Sequence, residues 1–203
     1  MDAAKIQLSE EEKGLISNGD WILTKNRVLA KVNGLLADLM ARQQGWTATA
    51  GMHPGMAFPD APPKISRGEN YQGLPWMMLD YPRLFTPADT FAIRCFFWWG
   101  NFFSITLQLA GASQERYAAR LSAAYEQFCD RHYLVAIAKD QWLHHDQPDN
   151  YIPVEGMTED TFSAHLRTHG FAKLMTSVPL SKWDAVPDLL LSEYRFLLET
   201  VGG

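Results

Sequence analysis

Residues 91–110 read FAIRCFFWWGNFFSITLQLA, and the way this stretch folds sets the expectation for the rest of the chain. Its length would let a single helix cross a bilayer. Arg94 lies well inside it, however, and a guanidinium near the centre of a spanning helix costs about 2.5 to 3.5 kcal/mol. Asn101 and Gln108 add to that cost, so two strands account for the residues better than one span. Aromatic and β-branched residues fill both halves, and Gly100-Asn101 between them is a two-residue hairpin signal, because both central positions of such a turn favour positive φ.

With a two-residue turn, Trp99 is expected opposite Phe102, Trp98 opposite Phe103 and Arg94 opposite Leu107. One side then collects Ala92, Phe96, Trp98, Phe103, Ile105, Leu107 and Leu109, with Arg94 as its only charge, and reads as the main core face. The other side holds Phe91, Ile93, Cys95, Phe97 and Trp99 beside Phe102, Ser104, Thr106 and Gln108. That mixture suits either a second helix layer or a ligand cavity with small hydroxyls in its wall.

Outward from the hairpin, residues 24–44 repeat Val28, Val32, Leu35, Leu36 and Leu39 at steps of three and four, which predicts a helix with Thr24 as its N-cap and Gly45 as its stop. Ser9 followed by Glu12 has the spacing of a capping box and predicts a shorter helix before it. Residues 45–75 lose all periodicity among five glycines and five prolines, which predicts a long loop wrapped over the body. A strand is expected at 75–81 and helices at about 113–130, after Thr158, and from Asp184 onward. Further strands are expected at 133–138, 151–154 and 171–178. Strands in the middle and helices at both ends make the expected fold α+β, with a largely antiparallel sheet meandering around the Gly100-Asn101 hairpin.

The composition fits one globular domain over residues 1–203: 47% of residues are hydrophobic and 12% aromatic. Eighteen Lys and Arg against 23 Asp and Glu leave a formal charge of -5, so no general attraction to nucleic acid or to an anionic membrane is expected. The two cysteines form no paired motif and read as buried thiols. The opening stretch MDAAKIQLSEEEKG has no apolar signal segment, which makes a cytoplasmic location the expectation.

The residues with chemistry to offer fall into two groups. Arg94, Cys95, Trp99, Ser104, Thr106 and Gln108 are candidates to line a small-molecule site. Arg94 there either pairs with Asp80 or holds an anionic group, and Lys64, Arg67 and Glu69 are candidate gate residues. In the second group His144 and Asp146, with His53, His165 or His169 as a third ligand, resemble the pattern of non-haem iron oxygenases. That resemblance implies a divalent metal and a metal-dependent enzyme. The pattern departs from the family because the later histidines fall on an expected helix. No phosphate-binding loop and no nucleophile elbow is present. The leading expectation is therefore a small, partly apolar ligand bound between the sheet and the covering loop. A metal enzyme is the alternative, and a structural or self-associating protein, such as a homodimer joined by exposed aromatics, is the third reading.

Overall fold

Capping opens the first helix as the sequence predicts. In the computed structural model, which describes residues 6–49 and 59–202, α1 (Glu10–Ile16) starts at Ser9. The Ser9 hydroxyl accepts from the Glu12 N–H while the Glu12 carboxylate accepts from the Ser9 N–H at 2.7 Å. The second helix departs from expectation at both ends, because α2 runs over Gly19–Thr49. Asn18, not Thr24, lies ahead of its first turn, its side chain accepting from the Trp21 N–H at 3.3 Å. Gly45 sits inside the helix, where the Thr49 hydroxyl donates to its carbonyl at 3.0 Å.

The loop predicted at 45–75 gives up its first residues to α2 for the same reason, its residues 50–58 lie outside the described residues, and its second half contains a strand. β1 (Lys64–Tyr71) leads into β2 (Leu74–Phe85), β3 (Asp89–Trp98) and β4 (Phe102–Gly111). The sequence KISRGENY lacks an apolar alternation because β1 is an edge strand, half exposed and fixed by its backbone pairing with β2. Two helices follow, α3 (Ala112–Ala123) and α4 (Tyr125–Asp130), separated by a break at Ala124. Then come β5 (Leu134–Ala136), β6 (Tyr151–Pro153), α5 (Glu159–Thr168), β7 (Ala172–Pro179) and α6 (Val186–Gly202). The fold is α+β, and its seven strands form one sheet in the order β1-β2-β3-β4-β7-β5-β6, antiparallel at every pairing. Among the described residues no helix is long and apolar enough to cross a membrane.

The central hairpin exists, but its register differs from expectation by one residue. Trp98 pairs with Phe102, so Trp99, Gly100 and Asn101 form a three-residue turn. Gly100 takes φ +75°, the Asn101 N–H donates to the Trp98 carbonyl at 3.1 Å, and the Asn101 side chain donates to the Trp99 carbonyl at 2.9 Å. Because side chains alternate with a period of two, one added turn residue moves the whole of β3 to the other face relative to β4. The helix-covered core is therefore built from Phe91, Ile93, Cys95 and Phe97 together with Phe103, Ile105, Leu107 and Leu109. Against it pack Leu36, Leu39, Tyr117, Leu121, Phe162 and Leu197 from the helices.

The opposite face gathers Ala92, Arg94, Phe96 and Trp98 with Phe102, Ser104, Thr106 and Gln108. It has two apolar clusters, one of Met78, Phe96, Trp98 and Phe102, the other of Ala136, Tyr151, Phe171 and Met175. A polar band runs between them. Residues 137–150, which contain neither helix nor strand, cross this band.

Gly111, between β4 and α3, has φ +58° and ψ -132°, and a Cβ there would lie 2.0 Å from the Ala88 carbonyl oxygen. Gly111→Ala is therefore expected to cost about 2 kcal/mol in denaturant unfolding; an unchanged midpoint would show that the β2–β3 connection around Ala88 yields freely.

Candidate functional site

The polar band starts as a cross-strand row. Lys64 of β1 is opposite Asp80 of β2, and Asp80 is opposite Arg94 of β3. Arg94 Nε donates to Asp80 Oδ1 at 2.7 Å, and both side chains are about nine-tenths buried. Arg94 Nη1 donates to Gln108 Oε1 at 3.1 Å, and Gln108 Nε2 donates onward to Gln141 Oε1 at 2.9 Å. The predicted Arg94–Asp80 pair is thus present. The register also puts Gln108 beside Arg94, whereas the two-residue turn had set them on opposite faces. Arg94 Nη2 has no hydrogen-bond partner among the described residues, so part of the guanidinium fork remains free.

Segment 137–150 is pinned over the band from several sides. Lys173 of β7, only 1% exposed, donates through Nζ to the carbonyls of Gln141, at 2.9 Å, and of Leu143. No carboxylate lies within ion-pair distance of it among the described residues. Burial first, and the Arg94 charge second, lower its pKa to about 7, with Asp140 acting in the opposite direction. Tyr71 Oη accepts from the backbone N–H groups of His144 at 2.6 Å and His145 at 3.0 Å. His145 Nδ1 lies 3.0 Å from Gln72 Nε2 and 3.1 Å from Tyr71 Oη, and His145 Nε2 faces Asp149 Oδ1 at 3.3 Å.

The His144 ring packs against Phe96 and Tyr71 with centroid separations of 5.1 and 5.6 Å. Burial, followed by the charges of Lys173, Arg94 and His145, lowers its pKa to about 2, so it is a neutral ring at physiological pH. Further in, the Tyr151 hydroxyl is buried near Thr106, and burial pushes its pKa up.

Of these groups Lys64, Tyr71, Asp80, Arg94 and His144 border an open cleft of about 430 Å³, within the ordinary range for small-molecule sites. Lys64, Arg83 and Arg94 line it against a single carboxylate, Asp80. Phe85, Trp142 and Trp76 supply apolar walls. The Arg94 guanidinium carbon lies 5.2 Å from the Phe85 ring centre and 5.6 Å from that of Trp142. Aromatic faces at this range stabilise the cation and hold its plane in place. The arrangement can receive a small anion on the free edge of Arg94 and bury an attached flat or apolar body against Trp142 and Phe85.

No family model, no curated protein and no solved structure matches the chain. Its chemistry is therefore read from the cleft itself.

The sequence-predicted residues divide by face. Arg94 lines the cleft, and Gln108 supports it from behind. Thr106 and Ser104 are buried on the same face without lining it. Cys95 and Trp99 do not belong to this group. Both pack on the helix-covered side, because the three-residue turn reverses the parity of β3 and places Trp99 in the turn itself. Cys95 is a buried thiol, as its surroundings predict: Gln43 Nε2 donates to its sulfur at 3.6 Å and burial pushes its pKa up to about 12. Of the three candidate gate residues, Lys64 lines the cleft, while Arg67 and Glu69 alternate to the opposite side of β1.

The metal pattern does not come together. Among the described residues no group of three or more His, Cys, Asp or Glu is placed to hold an ion. His165 and His169 stack on each other at 4.6 Å, and each turns its Nε2 to a backbone carbonyl, of Ala136 at 2.8 Å and of Ala138 at 2.9 Å. Asp146 accepts from the Gln147 side chain, and His53 lies outside the described residues.

Sequence reasoning missed Lys173, Trp142 and Phe85. A signal for Lys173 was present, since it is the one charge in the apolar run FAKLM at the start of β7 and shares its parity with Phe171, just before the strand, and Met175.

Proposed function

We propose that the chain binds a small organic anion with an apolar, preferably flat body in the cleft beside Arg94. The observation that carries this reading is the Arg94 guanidinium, oriented by Asp80 and Gln108, with one nitrogen left free at the base of an aromatic-walled cleft. Lys64 and Arg83 bring the cations lining that cleft to three against one carboxylate. A carboxylate or phosphate on Arg94 would make charge-assisted hydrogen bonds, and Trp142 offers about half of its surface for the attached body to cover. The four residues from β1 in the cleft wall, Lys64, Ser66, Asn70 and Tyr71, come from the stretch expected to cover the site, here acting as an edge strand. Two free cysteines accord with the reducing cytoplasm expected from the sequence.

A thermal-shift screen of aromatic and aliphatic carboxylates and phosphates, followed by titration calorimetry, tests the reading. Trp142→Ala and Lys64→Ala remove exposed side chains and should leave folding intact. Trp142→Ala is expected to weaken the best ligand about tenfold, close to 1.4 kcal/mol; Lys64→Ala should weaken it several-fold and reduce the salt dependence of binding. Absence of any binder in the screen, or a binder indifferent to both variants, rules the cleft out.

A further inference from the structure

The apolar stripe by which α2 packs on the sheet does not stop where the sheet stops. Val32, Leu36 and Leu39 are fully buried, and helical steps lead back from them through Val28 and Leu29 to Trp21 and Ile22, which are 47% and 48% exposed. No residue of α1 is buried, and its Leu15 and Ile16 are 49% and 75% exposed. With Ile6, Leu8 and Leu23 these side chains leave on the order of 700 Å² of apolar surface on one arm. Summed over the sides of the arm, that area is near the ~800 Å² each partner contributes to a stable interface.

A second opening lies along the same helix. Between α2 and the edge strand β1 runs a groove of about 760 Å³ with Leu29, Ala30, Ile65 and Met77 in its walls. Its charges are Arg67 and Glu69, and Glu69 is already paired with Lys25 at 2.6 Å. With Glu69 paired, Arg67 leaves the groove apolar with one cation unpaired among the described residues, and Arg27 and Lys31 are exposed on the same turns of α2 outside its wall. The arm is apolar and anionic: α1 carries Glu10, Glu11 and Glu12 against Lys13, which is bonded to Glu10 at 2.6 Å. The α1 helix contributes no residue to the groove of its own chain.

We propose that a second copy of the chain occupies this face, the acidic arm of each protomer lying in the α2–β1 groove of the other about a two-fold axis. Groove and arm share one helix, so a single rotation satisfies both sites, as an isologous contact requires. Among the described residues no strand pairs with the outer edge of β1, and the pairing would cover that edge too.

Sedimentation velocity over a concentration series is expected to show a dimer. I16E/W21S alters only exposed side chains and should raise the dimer dissociation constant at least tenfold while the circular dichroism spectrum stays unchanged. E10K/E11K/E12K and R27E/R67E should each weaken self-association, and mixing the two variants should restore a mixed dimer, since each arm then meets a groove of opposite sign. A monomer at every concentration, a dimer insensitive to these substitutions, or no recovery on mixing overturns the proposal, whatever the outcome of the ligand screen.

Discussion

Asp80→Ala is expected to lower the unfolding free energy by about 3 to 5 kcal/mol, because it leaves the Arg94 guanidinium buried without a counter-ion, the neutral Gln108 amide being its remaining hydrogen-bond partner. Truncating one member of a buried pair costs more than the pair itself contributes, since the surviving charge loses both its solvent and its counter-ion. The double variant Asp80→Leu/Arg94→Leu therefore serves as the control. Removing both charges while keeping volume should recover most of the loss, and the coupling energy from the four-protein cycle should exceed about 1 kcal/mol. Guanidinium chloride unfolding with a constant m-value gives the measurement. A loss under about 1 kcal/mol for Asp80→Ala would mean that water reaches the pair and that the row from Lys64 to Arg94 is a surface feature.

The second large effect is on the pH dependence of stability. Lys173 holds its proton with a pKa of about 7 in the folded chain, against about 10.4 when unfolded. Between these values the unfolded chain carries a proton that the folded chain does not, so stability rises with pH; below 7 both forms are protonated and the cost of burying the ammonium is carried in full. Relative to Lys173→Met, the natural protein should gain on the order of 4 kcal/mol between pH 7 and pH 10.5.

His144 acts in the acid range. With a folded pKa of about 2 against about 6.5 unfolded, it makes the unfolded chain the stronger proton acceptor throughout that interval, so stability falls as pH falls from 6.5 towards 2. His144→Phe keeps the packing on Phe96 and Tyr71 and should flatten that limb of the curve. Unfolding midpoints taken at unit pH steps measure both effects. Parallel curves for either variant and the natural protein would mean that the group is solvated in the folded state.

Both effects come from residues on the face opposite the helices, and the sequence announced them unevenly. Arg94 stood out as a cation among apolar neighbours, and Asp80 was recognisable as its partner because it ends a short apolar strand one turn away. Lys173 sat in an equally apolar run and carried the same information. Trp142 and Phe85 carried none, because nothing in DQWLHH or RLFTP indicates which way a loop will cross a sheet. Their meeting over Arg94 depends on the anchoring of segment 137–150 by Gln108, Lys173 and Tyr71, three residues from three different strands.

What the chain's order of residues determined alone was local chemistry. The Ser9–Glu12 capping box, the cap at Thr158, where the hydroxyl accepts from the Thr161 N–H, and the position of the central hairpin all depend on groups within a few positions of one another. Tertiary structure decided what depends on distant partners. Packing on the sheet and on α6 carries α2 through Gly45, and pairing with β2 turns a polar stretch into the edge strand β1. One residue more in the turn between β3 and β4 exchanged the faces of β3, and so decided which residues share a site with Arg94. A strand's pattern of alternation states which residues belong together, but only the partner strand's register states which of its two sides they join.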